Sequence, residues 1–255
     1  HVRDVDAAGI SRVNLIDATP IGVNVRSTVA TYSGVLDELR RAFARTEEAQ
    51  AAGLKPGAFS YNTGSLRCPT CDGTGQITLD VQFLPDVDIE CTECRGSRYG
   101  AQAASIRRDG LSLPDILAMS VDEARVAVRG LKKAGALLET LSGLGLGYLM
   151  LGEATPALSG GEEQRLKLAS EMGRRQDGAL FIFDEPTIGL HPDDVQVLVD
   201  VLQRLIERGA TVLVIEHDLD LIRCADWVID MGPGGGIEGG RIVAQGTPSE
   251  IAANK

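Results

Sequence analysis

The chain has 255 residues, 44% hydrophobic and 24% charged, which is typical of a folded globular protein. Its formal net charge of −11 argues against a generally basic nucleic-acid-binding surface, although it is compatible with a local basic groove. The apolar runs are shorter than the roughly 20 residues of a membrane span and the first residues are too charged for a secretion signal, so we expect a cytoplasmic protein with no membrane partner.

The first two thirds of the chain predict mostly helices. Apolar side chains recur at helical spacing in several stretches, and breaker residues separate them. In chain order, the pattern predicts an apolar segment at 13–16 and helices near 34–48, 122–128, 131–141 and 159–172.

The last part of the chain alternates apolar strands with helices. Runs at 180–183 and 211–215 have the composition of buried parallel strands, and an amphipathic helix is predicted between them at 192–208. A further helix begins at 219, and short strands are predicted at 227–230 and 241–244. This rhythm predicts an α/β fold with a parallel sheet and right-handed crossovers.

An acidic pair, Asp184 and Glu185, directly follows the strand predicted at 180–183. Ligands of open α/β sheets bind outside the carboxyl ends of the strands. One carboxylate there can hold hydrated Mg²⁺ while the next polarises an attacking water. By itself the pair fits a capped turn before Pro186 equally well.

A second motif, Ser-Gly-Gly-Glu-Glu-Gln at residues 159–164, opens a predicted helix. Ser159 and Glu162 have capping-box spacing. Gly160 and Gly161 leave backbone N–H groups accessible at the positive end of the helix dipole, where a phosphate can dock. The alternative is a well-capped structural helix, but Leu158 before the motif and the Gln164–Arg165 pair at its end make the string more specific.

A third motif, Glu216-His217-Asp218, follows the second apolar strand. A histidine there can hydrogen-bond a γ-phosphate and sense its loss. A lone histidine is usually structural. This one follows a strand that we expect to neighbour the strand before Asp184, which favours the functional interpretation.

Two C-x-x-C pairs, Cys68 with Cys71 and Cys91 with Cys94, are separated by nineteen residues. This spacing is typical of a tetrahedral zinc site, and it disfavours four free thiols or a redox pair. Because four thiolates leave no open position for a substrate, we expect the zinc to be structural. Glycine follows closely on each pair, which allows a tight turn around the metal.

The order of these motifs, with Thr187-Ile-Gly-Leu-His191 between the acidic pair and His217, resembles the ABC ATPase family. The resemblance implies that Asp184 binds Mg²⁺ through water, Glu185 is the general base and His217 is the switch. It also implies that the signature string contacts the γ-phosphate of ATP held by the opposite domain of a head-to-tail sandwich. The residues assigned to that contact are Ser159, Gly160 and Gly161, with Glu162 and Gln164 in the same string.

A four-cysteine module ahead of the signature resembles one branch, the second ATPase half of the UvrA family of bacterial nucleotide excision repair. Strings such as Phe59-Ser-Tyr-Asn62 and Ala225-Asp-Trp-Val-Ile-Asp230 extend the resemblance over nearly the whole chain. It implies an ABC-type α/β core with a helical signature domain and an inserted four-cysteine zinc module. The corresponding segments are a partial core at 1–60, the zinc insertion at 61–110, the signature region at 111–172 and the rest of the core at 173–255.

The UvrA resemblance also implies partners. The intact protein is expected to form a homodimer, bind damaged double-stranded DNA and load a UvrB-like subunit. ATP hydrolysis would drive changes in the dimer and in the bound DNA.

The chain departs from the family pattern in its phosphate-binding loop, because these residues contain no G-x-x-x-x-G-K-[ST] string. The loop is expected upstream of residue 1, so we expect weak ATP binding and no hydrolysis by the 255 residues alone. Ala18 stands where the family's Q-loop glutamine is expected, which suggests altered coupling between nucleotide and signature domain.

Several family basic positions are neutral or acidic here, including Gly64, Asp88, Glu90 and Met150. Each lost phosphate contact weakens DNA binding. Arg98 is the strongest remaining DNA-contact candidate, and the others are Arg67, Arg95, Arg107 and Arg108.

These departures suggest a divergent UvrA-like paralogue. The alternative is a divergent UvrA-like soluble ABC protein that binds a DNA-damaging drug or confers antibiotic self-resistance. An ATPase half of a transporter is disfavoured by the cysteine insertion.

Overall fold

The computed structural model describes residues 9–17, 19–22, 24–79, 87–172, 176–190, 192–234 and 239–254. Ala18, the Q-loop position, lies outside the described residues. The helices and strands follow in chain order: β1 (Arg12–Ile16), α1 (Val29–Tyr32), α2 (Val35–Phe43), α3 (Glu47–Ala51), β2 (Gln76–Leu79), β3 (Val87–Glu90), α4 (Ala101–Ser105), β4 (Arg107–Arg108), β5 (Leu111–Ser112), α5 (Leu113–Leu117), α6 (Val121–Ala127), α7 (Lys132–Leu141), α8 (Gly160–Met172), β6 (Ala179–Asp184), α9 (Pro192–Glu207), β7 (Thr211–Ile215), α10 (Leu219–Arg223), β8 (Val228–Gly232), β9 (Arg241–Gly246) and α11 (Pro248–Ala253).

The chain divides into two compact units, one of which is discontinuous in sequence. Residues 1–17 and 175–255 form the sheet unit, and residues 18–174 form the insert unit. The finer division into four segments stays a prediction. Among the described residues, none of the helices has the length and apolarity to cross a membrane.

A three-stranded parallel sheet organises the sheet unit, with the strand order β1-β6-β7. The predicted parallel pairing is therefore confirmed. β6 is the central strand, and its residues Phe181 and Phe183 are fully buried. β1 pairs directly with β6 although the whole insert unit separates the two strands in sequence. Asp184, the last residue of β6, is in register with Ile215, the last residue of β7.

The prediction that β7 is buried is wrong for the described part of the chain. Leu213 and Ile215 are 47% and 54% exposed. Successive side chains of a strand point to opposite faces of the sheet, and the face that carries these two residues is open in the described part of the chain. The apolar run therefore predicted the strand correctly, but it did not predict which face of the strand is buried.

The insert unit packs short helices around a leucine-rich core. The helix predicted at 34–48 is in fact two helices, α2 and α3. The break occurs because the Thr46 side chain accepts a hydrogen bond from the Ala49 N–H at 3.3 Å and so caps a new helix. After α7, Gly145 adopts a φ of 72°, which a residue with a Cβ rarely takes.

Candidate nucleotide and metal sites

The carboxyl ends of β6 and β7 bring the acidic pair and the histidine together in the sheet unit. The Glu185 N–H donates to the Ile215 carbonyl at 2.9 Å, which extends the pairing one residue beyond the strands. Glu185 has a φ of 48°, in the left-handed region that is unusual for a residue with a side chain. Strained backbone of this kind is concentrated at functional sites.

His217 lies near the carboxylates of Glu185 and Glu216. Its Nδ1 lies 3.8 Å from Oε1 of Glu185 and 3.7 Å from Oε2 of Glu216. The imidazole is 76% exposed, while the side chain of Glu216 is 2% exposed. The histidine is therefore accessible to a ligand, while the carboxylate of the neighbouring Glu216 is buried.

Glu216 accepts hydrogen bonds through both of its carboxylate oxygens. Oε1 accepts from the N–H of Thr187 at 2.9 Å and from its hydroxyl. Oε2 accepts from the N–H groups of His217 at 2.7 Å and Asp218 at 3.1 Å. Burial alone would raise the pKa of Glu216, but these hydrogen bonds lower it, so the charged form is favoured. One carboxylate thus joins the turn after Glu185 to the turn that carries His217.

The signature string opens α8 in the insert unit. The predicted capping box is confirmed, because the Ser159 N–H donates to Oε2 of Glu162 at 2.6 Å and the Glu162 N–H donates to the Ser159 hydroxyl at 3.4 Å. The Tyr148 hydroxyl also donates to Glu162. Gly160 is exposed and Gly161 is partly exposed, so this helix end is accessible from solvent.

The four predicted metal ligands form one buried cluster in the insert unit. Their sulfurs all lie within 4.8 Å of one another. Cys68 Sγ is 3.9 Å from Cys91 Sγ, and Cys71 Sγ is 3.6 Å from Cys94 Sγ. Four sulfurs at about 2.3 Å from a tetrahedral zinc would be about 3.8 Å apart. The cluster therefore has the donor set and the size of a zinc site with four thiolate ligands.

The turns after the two cysteine pairs have the same backbone geometry. Asp72 and Gly73 follow Cys71 with φ of 50° and 79°, and Arg95 and Gly96 follow Cys94 with φ of 48° and 74°. The first turn aims an N–H at a sulfur, since the Gly75 N–H lies 3.3 Å from Cys71 Sγ. A Cβ on Gly73 would lie 1.8 Å from the Tyr61 carbonyl oxygen, so only glycine fits there.

Backbone donors make Cys71 a good thiolate. Burial by itself raises the pKa of this thiol, but the hydrogen bonds from the Gly75 N–H and the Cys94 thiol lower it to about 7. Burial raises the pKa of Cys94 to about 12. A cation would overcome that penalty by binding the charged form.

Three of the five arginines predicted to contact DNA, namely Arg98, Arg67 and Arg95, have different surroundings. Arg98 is 6% exposed, donates to the Val25 carbonyl at 2.9 Å and has its guanidinium carbon 5.3 Å from the centre of the Tyr61 ring. Arg67 pairs with Asp72 at 3.0 Å. Arg95 is exposed on the turn after Cys94. Burial favours a structural role for Arg98, which sequence reasoning had no signal to detect.

Gly64 also has a local reason to be glycine. A Cβ there would lie 2.3 Å from the Ala58 carbonyl oxygen. A larger side chain at this position would therefore require the backbone of the turn to shift.

The chain is similar in sequence to several known proteins. No protein-family model matches the chain. It is 49% identical over 246 residues to the UvrABC system protein A of Aquifex aeolicus and 48% identical over 244 residues to that of Thermus thermophilus. These alignments cover 96% and 95% of the chain.

A solved structure, UvrA2 from Deinococcus radiodurans, is 43% identical and superposes with a TM-score of 0.91 over 98% of the chain. The chain belongs to the UvrA family. It spans about a quarter of the curated relatives' length, 27% and 26% for the two named above, and 31% of the UvrA2 chain. The UvrA assignment confirms the ABC-type α/β fold with an inserted four-cysteine module, as the resemblance implied.

Glu216 is a site residue of this UvrA relative that sequence reasoning missed. The sequence showed a glutamate beside His217, but nothing in it indicated that the side chain turns inward to Thr187. Its four donors come from two loops that are 29 residues apart in the chain.

Replacing Glu216 with alanine should loosen both loops. Each hydrogen bond to a charged group is worth about 1.5–3 kcal/mol, so we expect amide exchange at Thr187, His217 and Asp218 to accelerate about tenfold or more. Because the folded pKa is lowered, protonation should release the same loops only as the pH falls below the ordinary glutamate range. Asp220→Ala, which removes an exposed pair with Arg223, is the control. Unchanged exchange in Glu216→Ala would contradict the assignment.

Proposed function

We propose that the chain is the C-terminal ATPase part of a UvrA-type protein that binds damaged double-stranded DNA in nucleotide excision repair. The observation that carries the proposal is the convergence of Asp184, Glu185 and His217 at the ends of two paired parallel strands. Membership of the UvrA family supports the role in repair.

In this proposal the sheet unit supplies the hydrolytic side chains. Asp184 holds hydrated Mg²⁺, and Glu185 accepts a proton from the water that attacks the γ-phosphate of ATP. His217 donates a hydrogen bond to that phosphate and reports its loss. Glu216 is a positioning residue, since its contacts fix the loops on either side.

The insert unit supplies the second half of a nucleotide site. Gly160 and Gly161 present N–H groups at the positive end of α8, which is 13 residues long, and Ser159 adds its hydroxyl because its own N–H is used by the capping box. Glu162 and Gln164 complete the string, with Glu162 used as a cap. We propose that this end meets ATP bound by another ATPase domain in a dimer. The 255 residues contain no G-x-x-x-x-G-K-[ST] string, so alone they should bind ATP weakly.

The four-cysteine module is proposed to hold one structural Zn²⁺ per chain. Sulfur spacing, burial and the N–H group aimed at Cys71 support zinc over free thiols. The module would then position Arg95 and Arg67 toward the phosphates of DNA, while Arg98 stays inside and holds the turn. A UvrB-like protein is proposed as the further partner in repair.

Zinc content should depend on Cys71 and not on Cys224. Cys71→Ser removes one of four ligands and should reduce bound zinc from about one per chain to well below half, with lower thermal stability. Cys224→Ser is the matched control because Cys224 is exposed and outside the cluster. Metal analysis after gel filtration measures the zinc content of both variants. Equal zinc in the two variants would refute the site.

Glu185→Gln in the full-length protein should arrest ATP turnover while ATP stays bound. A single general base contributes about 100- to 10,000-fold to such a rate, so we expect turnover to fall by at least about 100-fold. Glu207→Gln, on the exposed end of α9, is the control. Phosphate release and nucleotide retention are the measurements. Normal turnover in Glu185→Gln would remove this residue from its role.

Arg95→Ala should weaken duplex binding by the full-length protein and reduce the slope of log affinity against log salt by about 1. Arg98→Ala should instead destabilise the zinc module, because its guanidinium is buried. Arg223→Ala, in an exposed pair, is the control. Fluorescence anisotropy with lesion-bearing duplex measures affinity. Binding of an intercalating drug without any binding of DNA would favour the drug-binding alternative.

A further inference from the structure

Residues 25–30, which we call the connecting segment, lie between the four-cysteine module and the chain that leads into Ser159. The segment contributes no strand to the four described sheets. Hydrogen bonds join it to both of these neighbours, and all of these residues lie within the insert unit.

Three side chains bind the connecting segment to the module. Arg98 donates to the Val25 carbonyl, and its own backbone carbonyl accepts from the Cys68 N–H at 2.9 Å. Arg26 donates to the Asp72 carbonyl at 2.7 Å and to its carboxylate at 3.0 Å, and Asp72 directly follows Cys71. The Tyr61 hydroxyl donates to the Arg26 carbonyl at 3.1 Å.

Backbone hydrogen bonds join the other side of the segment to residues 151–155. The Thr155 N–H donates to the Ser27 carbonyl at 2.9 Å. Val29 and Ala30 donate to the carbonyls of Glu153 and Leu151 at 3.0 and 2.9 Å. The Leu158 N–H then donates to the Thr155 carbonyl at 3.1 Å, and Ser159 is the next residue. A short stretch of chain therefore separates this pairing from the signature string.

Burial makes these contacts interdependent. Thr28, Val29, Ala30 and Thr155 are fully buried. Water cannot replace a hydrogen bond that is lost there, so an unsatisfied group carries its full desolvation cost. If the module side of the segment moves, the backbone pairing with residues 151–155 must move with it or break.

We propose that the connecting segment couples metal occupancy of the four-cysteine module to the order of the signature loop, with Arg26 as the positioning residue between them. The metal fixes the turn at Cys71, Asp72 fixes Arg26, and the segment then fixes residues 151–159. The proposal rests on the proposed zinc and nucleotide roles of the two sites. Arg26 is distant in sequence from both the cysteine pairs and the signature string, so the sequence alone does not indicate this function.

Amide hydrogen exchange of the full-length protein, with zinc bound and after chelation, tests the coupling. Chelation should raise exchange in residues 151–163 of the unsubstituted protein about fivefold or more. Arg26→Ala should keep its zinc, show the raised exchange already, and respond to chelation by less than about twofold. Arg41→Ala, which loses an ordinary helix pair with Glu38, should behave as the unsubstituted protein does.

A milder variant covers the case in which Arg26→Ala loses zinc. Tyr61→Phe removes only the hydroxyl that reaches the Arg26 carbonyl and lies 2.9 Å from the Thr28 hydroxyl, and it should raise exchange in residues 151–163 about threefold with zinc retained. The proposal is overturned if both variants exchange like the unsubstituted protein, or if chelation has the same effect with and without Arg26. The exchange experiment contains neither ATP nor DNA, so its outcome does not depend on whether the protein acts in DNA repair. If the unsubstituted protein holds no zinc, the metal assignment fails and the coupling fails with it.

Discussion

The parallel pairing of β6 with β7 is the constraint on which the sheet unit depends. It sets Asp184 opposite Ile215 and lets Glu185 continue the ladder by one hydrogen bond. The two loops that follow therefore start at the same level. Without this register, the carboxylate of Glu185 and the imidazole of His217, far apart in sequence, would have no reason to lie 3.8 Å from each other.

Glu216 shows how a second residue converts that register into a defined geometry. Parallel strands bring two loops to one edge, but loops at such an edge are free to vary. A buried carboxylate with four donors restricts both loops at once. Its lowered pKa follows from the same donors, so the charge and the geometry have one cause.

The insert unit is organised by a different kind of constraint. Four cysteine sulfurs in a buried cluster must either stay protonated or bind a cation, because buried thiolates need a compensating charge. The turn after Cys71 also places an N–H group next to the Cys71 sulfur. Arg98 and Arg26 join this module to the connecting segment. Arg98 is therefore used in internal contacts of the module, whereas Arg95 is exposed to solvent.

The sequence alone was sufficient for the elements with strong local signals, and only the tertiary structure decided the surroundings of individual side chains. Strand β7 has the predicted bounds, the capping box of Ser159 is present, and the cysteine spacing corresponds to a cluster of the size zinc requires. These features depend on spacing over a few residues, or on ligands whose number and type limit the chemistry. Whether Leu213 is covered, whether Arg98 faces solvent or Tyr61, and where Glu216 points all depend on elements that are distant in sequence. A residue's type limits the bonds that it can form, but burial and partners are set by the chain that packs against it. For this UvrA relative, the sequence therefore determined which residues can do chemistry, and the fold determined which of them hold the others in place.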